Sequence, residues 1–197
     1  MTHLLLLLAL VAALGTAAIA GFLAFRWRRE LVAARQVADL DSLTGLFNQR
    51  FFHALLGREV ARAQRYGRRL SLIVVDVDDF KSINDRIGHL TGNLVLTEVA
   101  SRVRAVVRGS DVACRIGGDE FAVIMPESGQ EEAQHLADRI RTAVSELPLE
   151  HAATLSVSAG VAELSEGEAA NDVFVRADKA LYDAKKGSDQ PRLRNGR

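Results

Sequence analysis

Apolar side chains change their spacing several times along this chain, and each change marks an expected element. From Leu4 to Phe25 the sequence reads LLLLLALVAALGTAAIAGFLAF without one charge. At about 1.5 Å rise per residue this run covers a hydrocarbon layer of roughly 30 Å, so residues 4–25 are expected to span a membrane as one helix. Ala18-Ile19-Ala20 resembles a leader-cleavage site, but no lysine or arginine precedes the apolar run and the run continues beyond it, which favours an anchor. Arg26, Trp27, Arg28 and Arg29 follow at once, against only Thr2 and His3 in front, so the carboxy-terminal part is expected on the cytoplasmic side. With so few residues on the outer side, any input is expected through the membrane, a partner or dimerisation. Ala9, Ala13, Ala17 and Gly21 form a ridge of small side chains that suits helix pairing, although frequent alanine explains it equally well. Residues 26–40, with Leu31, Ala34, Ala38 and Leu40 among charges, read as an amphipathic connecting helix.

Beyond Asp41 the periods alternate between helix and strand. Residues 48–67 carry Phe52, Leu55, Leu56, Val60 and Ala63 on one helical face, and residues 70–75 form an apolar run, β-branched at its end, expected as a buried central strand. A helix over about 93–107 shows Leu96, Val99, Ala100, Val103 and Val107, and a short strand follows at 111–116. Gly117-Gly118 turns the chain into a returning strand, Phe121–Met125, stopped by Pro126. A helix with Ala133, Leu136, Ala137 and Ile140, a strand within 154–164 and a helix over 172–186 complete the order. A hairpin set among strands and long helices implies an α+β domain with a mixed sheet and helices packed on it.

Composition narrows the possible partners. The 197 residues hold 25 Lys plus Arg and 25 Asp plus Glu, so no general positive field attracts a nucleic-acid backbone, and none is expected as a partner. The one cysteine, Cys114, cannot form an internal disulfide and reads as strand packing.

Candidate chemistry gathers at two places. Asp76 ends the buried strand, with Asp78 and Asp79 next, where ligands of α/β proteins often bind. Phe80-Lys81 then open a helical turn whose free N–H groups and ammonium suit phosphate oxygens. Carboxylates beside a phosphate site imply a bridging magnesium ion, which takes one or two carboxylates plus phosphate oxygens. The second place is Gly117-Gly118-Asp119-Glu120-Phe121 at a hairpin tip, where the glycines are expected to supply positive φ and close backbone approach.

These five residues are the signature of the GGDEF family, and further segments resemble the family's motifs in order. Asp41-Ser42-Leu43-Thr44-Gly45-Leu46-Phe47-Asn48 is similar to its opening motif, Asp76-Val77-Asp78-Asp79-Phe80-Lys81 to its metal strand, and Asn84-Asp85 with Gly88-His89 to its nucleotide loop. Ala177-Asp178-Lys179-Ala180-Leu181-Tyr182-Asp183-Ala184-Lys185 resembles its last helix, so the resemblance spans roughly residues 39 to 190 and implies a catalytic domain over 41–190.

The resemblance implies a fold like the palm of class III nucleotide cyclases and a diguanylate cyclase activity, in which two GTP molecules condense to cyclic di-GMP with loss of pyrophosphate. It places magnesium, two ions per active site, on Asp76, the Val77 carbonyl, Asp119 and Glu120. Asp119, Glu120 and Lys81 would be catalytic, with Glu120 either a metal ligand or the group that helps deprotonate the attacking hydroxyl. Substrate would meet Asn84 at the guanine edge, Asn93, Phe80, Gly117 and Gly118, and Lys81 and Lys185 at the triphosphate. One domain would hold one GTP, so a homodimer would be required, at the inner membrane of a bacterium. Arg108-Gly109-Ser110-Asp111 matches the family's inhibitory R-x-x-D site, and Arg139 resembles a secondary arginine for the product.

Three departures bear on function. Asn93 stands where the family commonly has aspartate, and an amide offers one acceptor and one donor where a carboxylate accepts from both guanine N1–H and N2–H. Gln49 replaces a common arginine, with no consequence that the residues explain. After Lys185-Lys186-Gly187, Ser188 stands where an arginine is common, leaving Arg192 or Arg194 as substitutes. The alternatives are an inactive domain that receives cyclic di-GMP, a cyclase with relaxed purine choice, and a dimerisation module without nucleotide.

Overall fold

The computed structural model of the protein describes Phe22, residues 39–147 and residues 155–188, with Gly187 and Ser188 by backbone alone. The expected span over 4–25, apart from Phe22, lies outside the described residues, as do Arg192, Arg194 and the expected connecting helix up to residue 38. Among the described residues no helix is long and apolar enough to cross a membrane. The last two positions of the connecting segment depart from helix: Asp39 lies in a turn and Leu40 forms an antiparallel bridge with Phe47. The reason is a reversal at Gly45 (φ 66°), where Asp41 N–H donates to the Leu46 carbonyl at 2.7 Å.

Within the unit Leu40–Arg197 the order is β1 (Phe47–Asn48), α1 (Gln49–Tyr66), β2 (Leu70–Val77), α2 (Phe80–Ile87), α3 (His89–Val106), β3 (Val112–Arg115), β4 (Glu120–Pro126), α4 (Gln130–Ser145), β5 (Val157–Glu163) and α5 (Ala170–Ser188). Asn48 starts α1 by accepting from Phe51 N–H at 3.0 Å, and Gly67 ends it in the left-handed region at φ 62°. Such a cap is a routine use of glycine, which has no Cβ to clash there.

The five strands lie in the order β1-β3-β4-β2-β5, parallel between β1 and β3 and antiparallel elsewhere, the mixed sheet expected from the hairpin. Every residue of β2 is buried, since the strand has neighbours on both edges and helices on both faces. Its alternation divides the core. Ile73, Val75 and Val77 join Phe121 and Val123 of β4 against α3 and α4, while Leu70, Leu72 and Val74 join Ala122 and Ile124 against α1 and α5. Cys114 is fully buried in the second cluster, its thiol pushed up to about 12 by burial, as its strand setting led one to expect.

Two boundaries differ from the sequence pattern. The turn expected at Phe80-Lys81 continues into the eight-residue α2, and α3 begins at His89 rather than near 93. Gly88 (φ 80°) joins the two helices, and Gly92 in the first turns of α3 packs against Asn84, where a side chain would collide. The two-residue β1 is too short for any period to reveal.

Gly160 of β5 sets how close α5 comes to the sheet. A Cβ there would lie 2.1 Å from the Ala177 carbonyl oxygen and 2.2 Å from the Leu181 nitrogen, both backbone atoms that cannot turn aside. Gly160→Ala is therefore expected to destabilise the fold by about 1–3 kcal/mol in urea unfolding. Gly57→Ala in α1, where a methyl meets open space, is expected to be neutral or stabilising by up to about 1 kcal/mol. Equal effects of the two would show that the contact at Gly160 does not limit packing.

Candidate active site

The site forms where the buried strand runs out. Asp76, only 7 % exposed, lies opposite Glu120 of β4 on one side and opposite Ser158 of β5 on the other. Val77 N–H donates to the Asp119 carbonyl at 3.2 Å, which brings the hairpin tip against the end of β2. Backbone register thus brings Asp76, Val77, Asp119 and Glu120 to one end of the sheet.

The glycines of the hairpin work differently from expectation. Neither Gly117 nor Gly118 has a positive φ. Ile116 and Gly117 N–H groups both donate to the Glu120 carbonyl, at 2.9 and 3.3 Å, which closes the turn without left-handed backbone. Gly117 is needed for space, since its Cβ would lie 2.3 Å from Glu120 Oε2. The Gly118 carbonyl accepts from Arg115 Nη2 at 2.6 Å.

Arg115 is a site residue that the sequence reading missed. Its Nη1 also reaches Asp41 Oδ1 at 3.0 Å, an atom that accepts from Thr44 N–H and Thr44 Oγ as well, at 2.9 and 2.7 Å. The opening motif is thereby tied to the hairpin. Burial works against the Asp41 carboxylate, but the Thr44 hydrogen bonds and the Arg115 charge prevail and hold its pKa below the ordinary value. A lone arginine ending a short apolar strand was the available signal.

Lys185 of α5 places its Nζ 2.6 Å from Asp76 Oδ1. The ammonium expected at a triphosphate thus rests on the carboxylate expected to hold metal. Burial opposes its charge, yet Asp76, Asp78 and Asp119 outweigh burial and raise its pKa. Asp76 is raised too, by burial first and then by Asp119 and Asp78, which together exceed the help from Lys185. Glu120 is raised by burial and by repulsion from Asp76, Asp119 and Asp178. Three carboxylates face one lysine, an arrangement short of positive charge.

Among the described residues no three metal-ligating side chains are already gathered around one point. The donor chemistry still fits magnesium, which binds through one or two carboxylates and completes its shell with water and phosphate oxygens. Asp76, Asp119, Glu120 and the Val77 carbonyl offer oxygen alone, and their unneutralised charge suits a dication.

A second group of expected site residues lies where α2 meets α3. Asn84 Oδ1 is buried with no hydrogen-bond partner, and a Cβ on Gly92 would stand 1.8 Å from it and 3.4 Å from the Phe80 ring. Phe80 is half-buried against the core, and Lys81 is exposed one residue on. Asn93 is exposed in the first turns of α3, its carbonyl accepting from Thr97 Oγ at 2.9 Å. The role of Gly92 in admitting Asn84 emerges only from the packing.

The R-x-x-D residues lie at the far end of β3. Asp111 is buried, its Oδ2 accepting from Arg108 N–H at 3.2 Å and its Oδ1 from Ser110 Oγ at 3.3 Å. It holds the turn together, whereas exposed Arg108 lines a cleft with Arg62 and Glu59 of α1. Arg139 is exposed on α4, which packs on the other face of the sheet, so one copy of the chain does not bring it to that cleft.

Comparison with known proteins agrees with this geometry. Residues 38–190 match the family profile described as "Diguanylate cyclase, GGDEF domain". Over 155 residues the chain is 41% identical to diguanylate cyclase DgcP of Pseudomonas aeruginosa, covering 77% of this chain and 23% of that protein. It is 43% identical over 148 residues to diguanylate cyclase DgcS of Shewanella oneidensis, covering 75% of this chain and 50% of that one. The chain therefore spans half or less of the length of these curated relatives. The crystal structure of the coiled coil and GGDEF domain of DgcB from Caulobacter crescentus in complex with c-di-GMP superposes with a TM-score of 0.80 at 35% identity, covering 88% of this chain and 94% of that one. The chain belongs to the GGDEF family and carries its α+β fold.

The charge imbalance has a stability consequence. Because the Glu120 pKa lies above its ordinary 4.5, its ionised form costs the fold stability at neutral pH, and that cost vanishes below 4.5. Glu120→Gln in metal-free buffer is expected to raise the thermal midpoint at neutral pH, with the gain disappearing in acid. Asp41 has the opposite sign: depressed below 3.8, it stabilises the fold above that pH and loses the effect as pH falls through its folded value. Asp41→Asn should lower the midpoint at neutral pH, and the parent and variant should converge only in strong acid.

Proposed function

We propose that this GGDEF-family protein is a diguanylate cyclase that condenses two GTP into cyclic di-GMP. The observation that carries the reading is the register of Asp76 against Glu120, with Asp119 on the adjoining backbone and Lys185 on Asp76. In each half-reaction a ribose 3′-oxygen bonds to the α-phosphorus of the other GTP, the α–β bridging P–O bond breaks, and pyrophosphate leaves. Magnesium held by Asp76, Asp119, Glu120 and the Val77 carbonyl would neutralise triphosphate charge and lower the pKa of the attacking hydroxyl. Glu120 would either complete that metal shell or take the hydroxyl proton. Lys81 and Lys185 would contact phosphate oxygens, the latter exchanging one anionic partner for another. Most of the catalysis is then positioning and charge stabilisation.

The buried, unpaired Asn84 Oδ1 supports guanine as the base, because a donor from N1–H or N2–H would satisfy an acceptor that is costly to leave alone. One such base-reading group per domain implies that two copies face each other, so a homodimer completes the reaction. We place the protein at a bacterial inner membrane, through residues 4–25, with residues 41–190 in the cytoplasm, on the apolar run and its basic flank. For product inhibition, Arg108 in its cleft beside Arg62 suits the phosphates of cyclic di-GMP, with Asp111 shaping the turn that presents it, and Arg139 would come from a second copy. A relaxed purine choice is the second reading, favoured by Asn93.

Asp76→Asn and Asp119→Asn are expected to abolish product formation from GTP and magnesium while the circular dichroism stays native. Turnover near that of the parent in either would overturn the assignment. Asn93→Asp should favour GTP over ATP by a further factor of about 5–150, the worth of one buried hydrogen bond; an unchanged ratio assigns selectivity to Asn84 and pocket shape. Arg108→Ala should keep the initial rate and lose the slowing as product accumulates, together with calorimetric binding of cyclic di-GMP. Slowing identical to the parent's would remove the inhibitory role and leave the cyclase reading intact.

A further inference from the structure

Asp78 lies two residues beyond Asp76 and is held quite differently. Ser158 Oγ donates to its Oδ1 and Ser156 Oγ to its Oδ2, each at 2.7 Å, while Asp78 N–H donates to the Ser156 carbonyl at 3.0 Å. Three hydrogen bonds therefore fasten one residue of the loop after β2 to the start of β5. Ser158 is 6 % exposed, an unusual place for a hydroxyl unless its bond is needed, and it stands in register with Asp76 itself.

The next residue shows what the fastening resists. Asp79 has φ 52°, the left-handed region, although it is not glycine, and its side chain makes no capping bond to α2. A non-glycine residue there costs about 1 kcal/mol or more and persists where its surroundings over-determine it. That strained residue launches α2, which carries Phe80, Lys81 and Asn84 with its unpaired buried acceptor.

We infer that Ser156 and Ser158 are positioning residues for nucleotide binding: by occupying both oxygens of Asp78 they hold the Asp79 turn in its left-handed form and so set α2 against the end of β2. This rests on the nucleotide reading above and extends it to two hydroxyls, one just before β5 and one within it, that act through Asp78. It also accounts for the different surroundings of neighbouring carboxylates. Asp78 is satisfied from β5, whereas Asp76 meets Lys185 and Glu120. Freed from the serines, Asp78 would be at liberty to turn toward Lys185, whose ammonium already feels its charge.

The test uses the full-length protein and separates binding from turnover. Ser156→Ala is the principal variant, since Ser156 is exposed and its loss should leave the fold intact; Ser158→Ala is the buried companion. GTP affinity is measured by calorimetry with calcium in place of magnesium to suppress turnover, and KM and kcat by product assay with magnesium. Each variant is expected to weaken GTP binding and raise KM by about tenfold, the scale of one hydrogen bond to a charged group, with kcat changed less than about threefold. Ser158→Thr, which keeps the hydroxyl, should bind like the parent. Asp79→Gly added to Ser156→Ala should restore affinity, because glycine holds positive φ without a fastening. Native affinity in Ser156→Ala, or failure of Asp79→Gly to restore it, overturns the positioning role. A parent that binds GTP but makes no cyclic di-GMP would defeat the cyclase reading and leave the binding comparison decisive for this one.

Discussion

Everything functional in this fold hangs on β2 having a hydrogen-bonded neighbour on each edge. A strand so enclosed must be apolar along its length, and its polar residues can appear only where it leaves the sheet. Asp76 sits at that exit, buried to all but 7 %, and its two cross-strand partners are Glu120 and Ser158. A shift of one residue in either pairing would send Asp76 to the opposite face and dissolve the site. The geometry of the candidate site is thus a by-product of the same register that builds the two halves of the core.

The local result is a concentration of like charge. Burial and the neighbouring carboxylates raise the proton affinity of Asp76 and Glu120, and among the described residues Lys185 works against that rise. A fold selected only for stability would avoid this arrangement. Under the proposed reading the imbalance has a use, because dications and a triphosphate would fill the deficit. The surrounding contacts keep the arrangement from relaxing: Arg115 ties the hairpin carbonyl of Gly118 to Asp41, and Gly160 lets α5 come close enough to deliver Lys185. Both supports lie outside the residues proposed for catalysis; Arg115 acts through its guanidinium, and Gly160 through backbone atoms that cannot turn aside.

Much of the architecture was legible in the order of residues because it depends on local period and turn chemistry. The apolar run of β2, the amphipathic faces of α1, α4 and α5, the hairpin at Gly117-Gly118 and the ordered acidic motifs are all short-range signals, and they sufficed for the fold class, the mixed sheet and the candidate carboxylates. The misses have local causes as well. The two residues of β1 carry no period, and nothing local shows why residue 92 is glycine, because the reason is the Asn84 amide eight residues earlier in the chain.

What the sequence determined by itself, then, is which groups exist and which segments carry them; the tertiary structure decided which of them meet. Lys185 and Asp76 are brought together by α5 packing on β5, Arg115 and Asp41 by the parallel pairing of β1 with β3, and Asp78 with Ser156 and Ser158 by the register of β2 with β5. The carboxylate of Asp111 turned inward to hold its own loop, which its spacing from Arg108 could not reveal. Hydrogen bonds and ion pairs reach about 3 Å, and residues far apart in sequence come within that distance only after the core has chosen a register. Period is a property of the chain, whereas partnership is a property of the packed sheet.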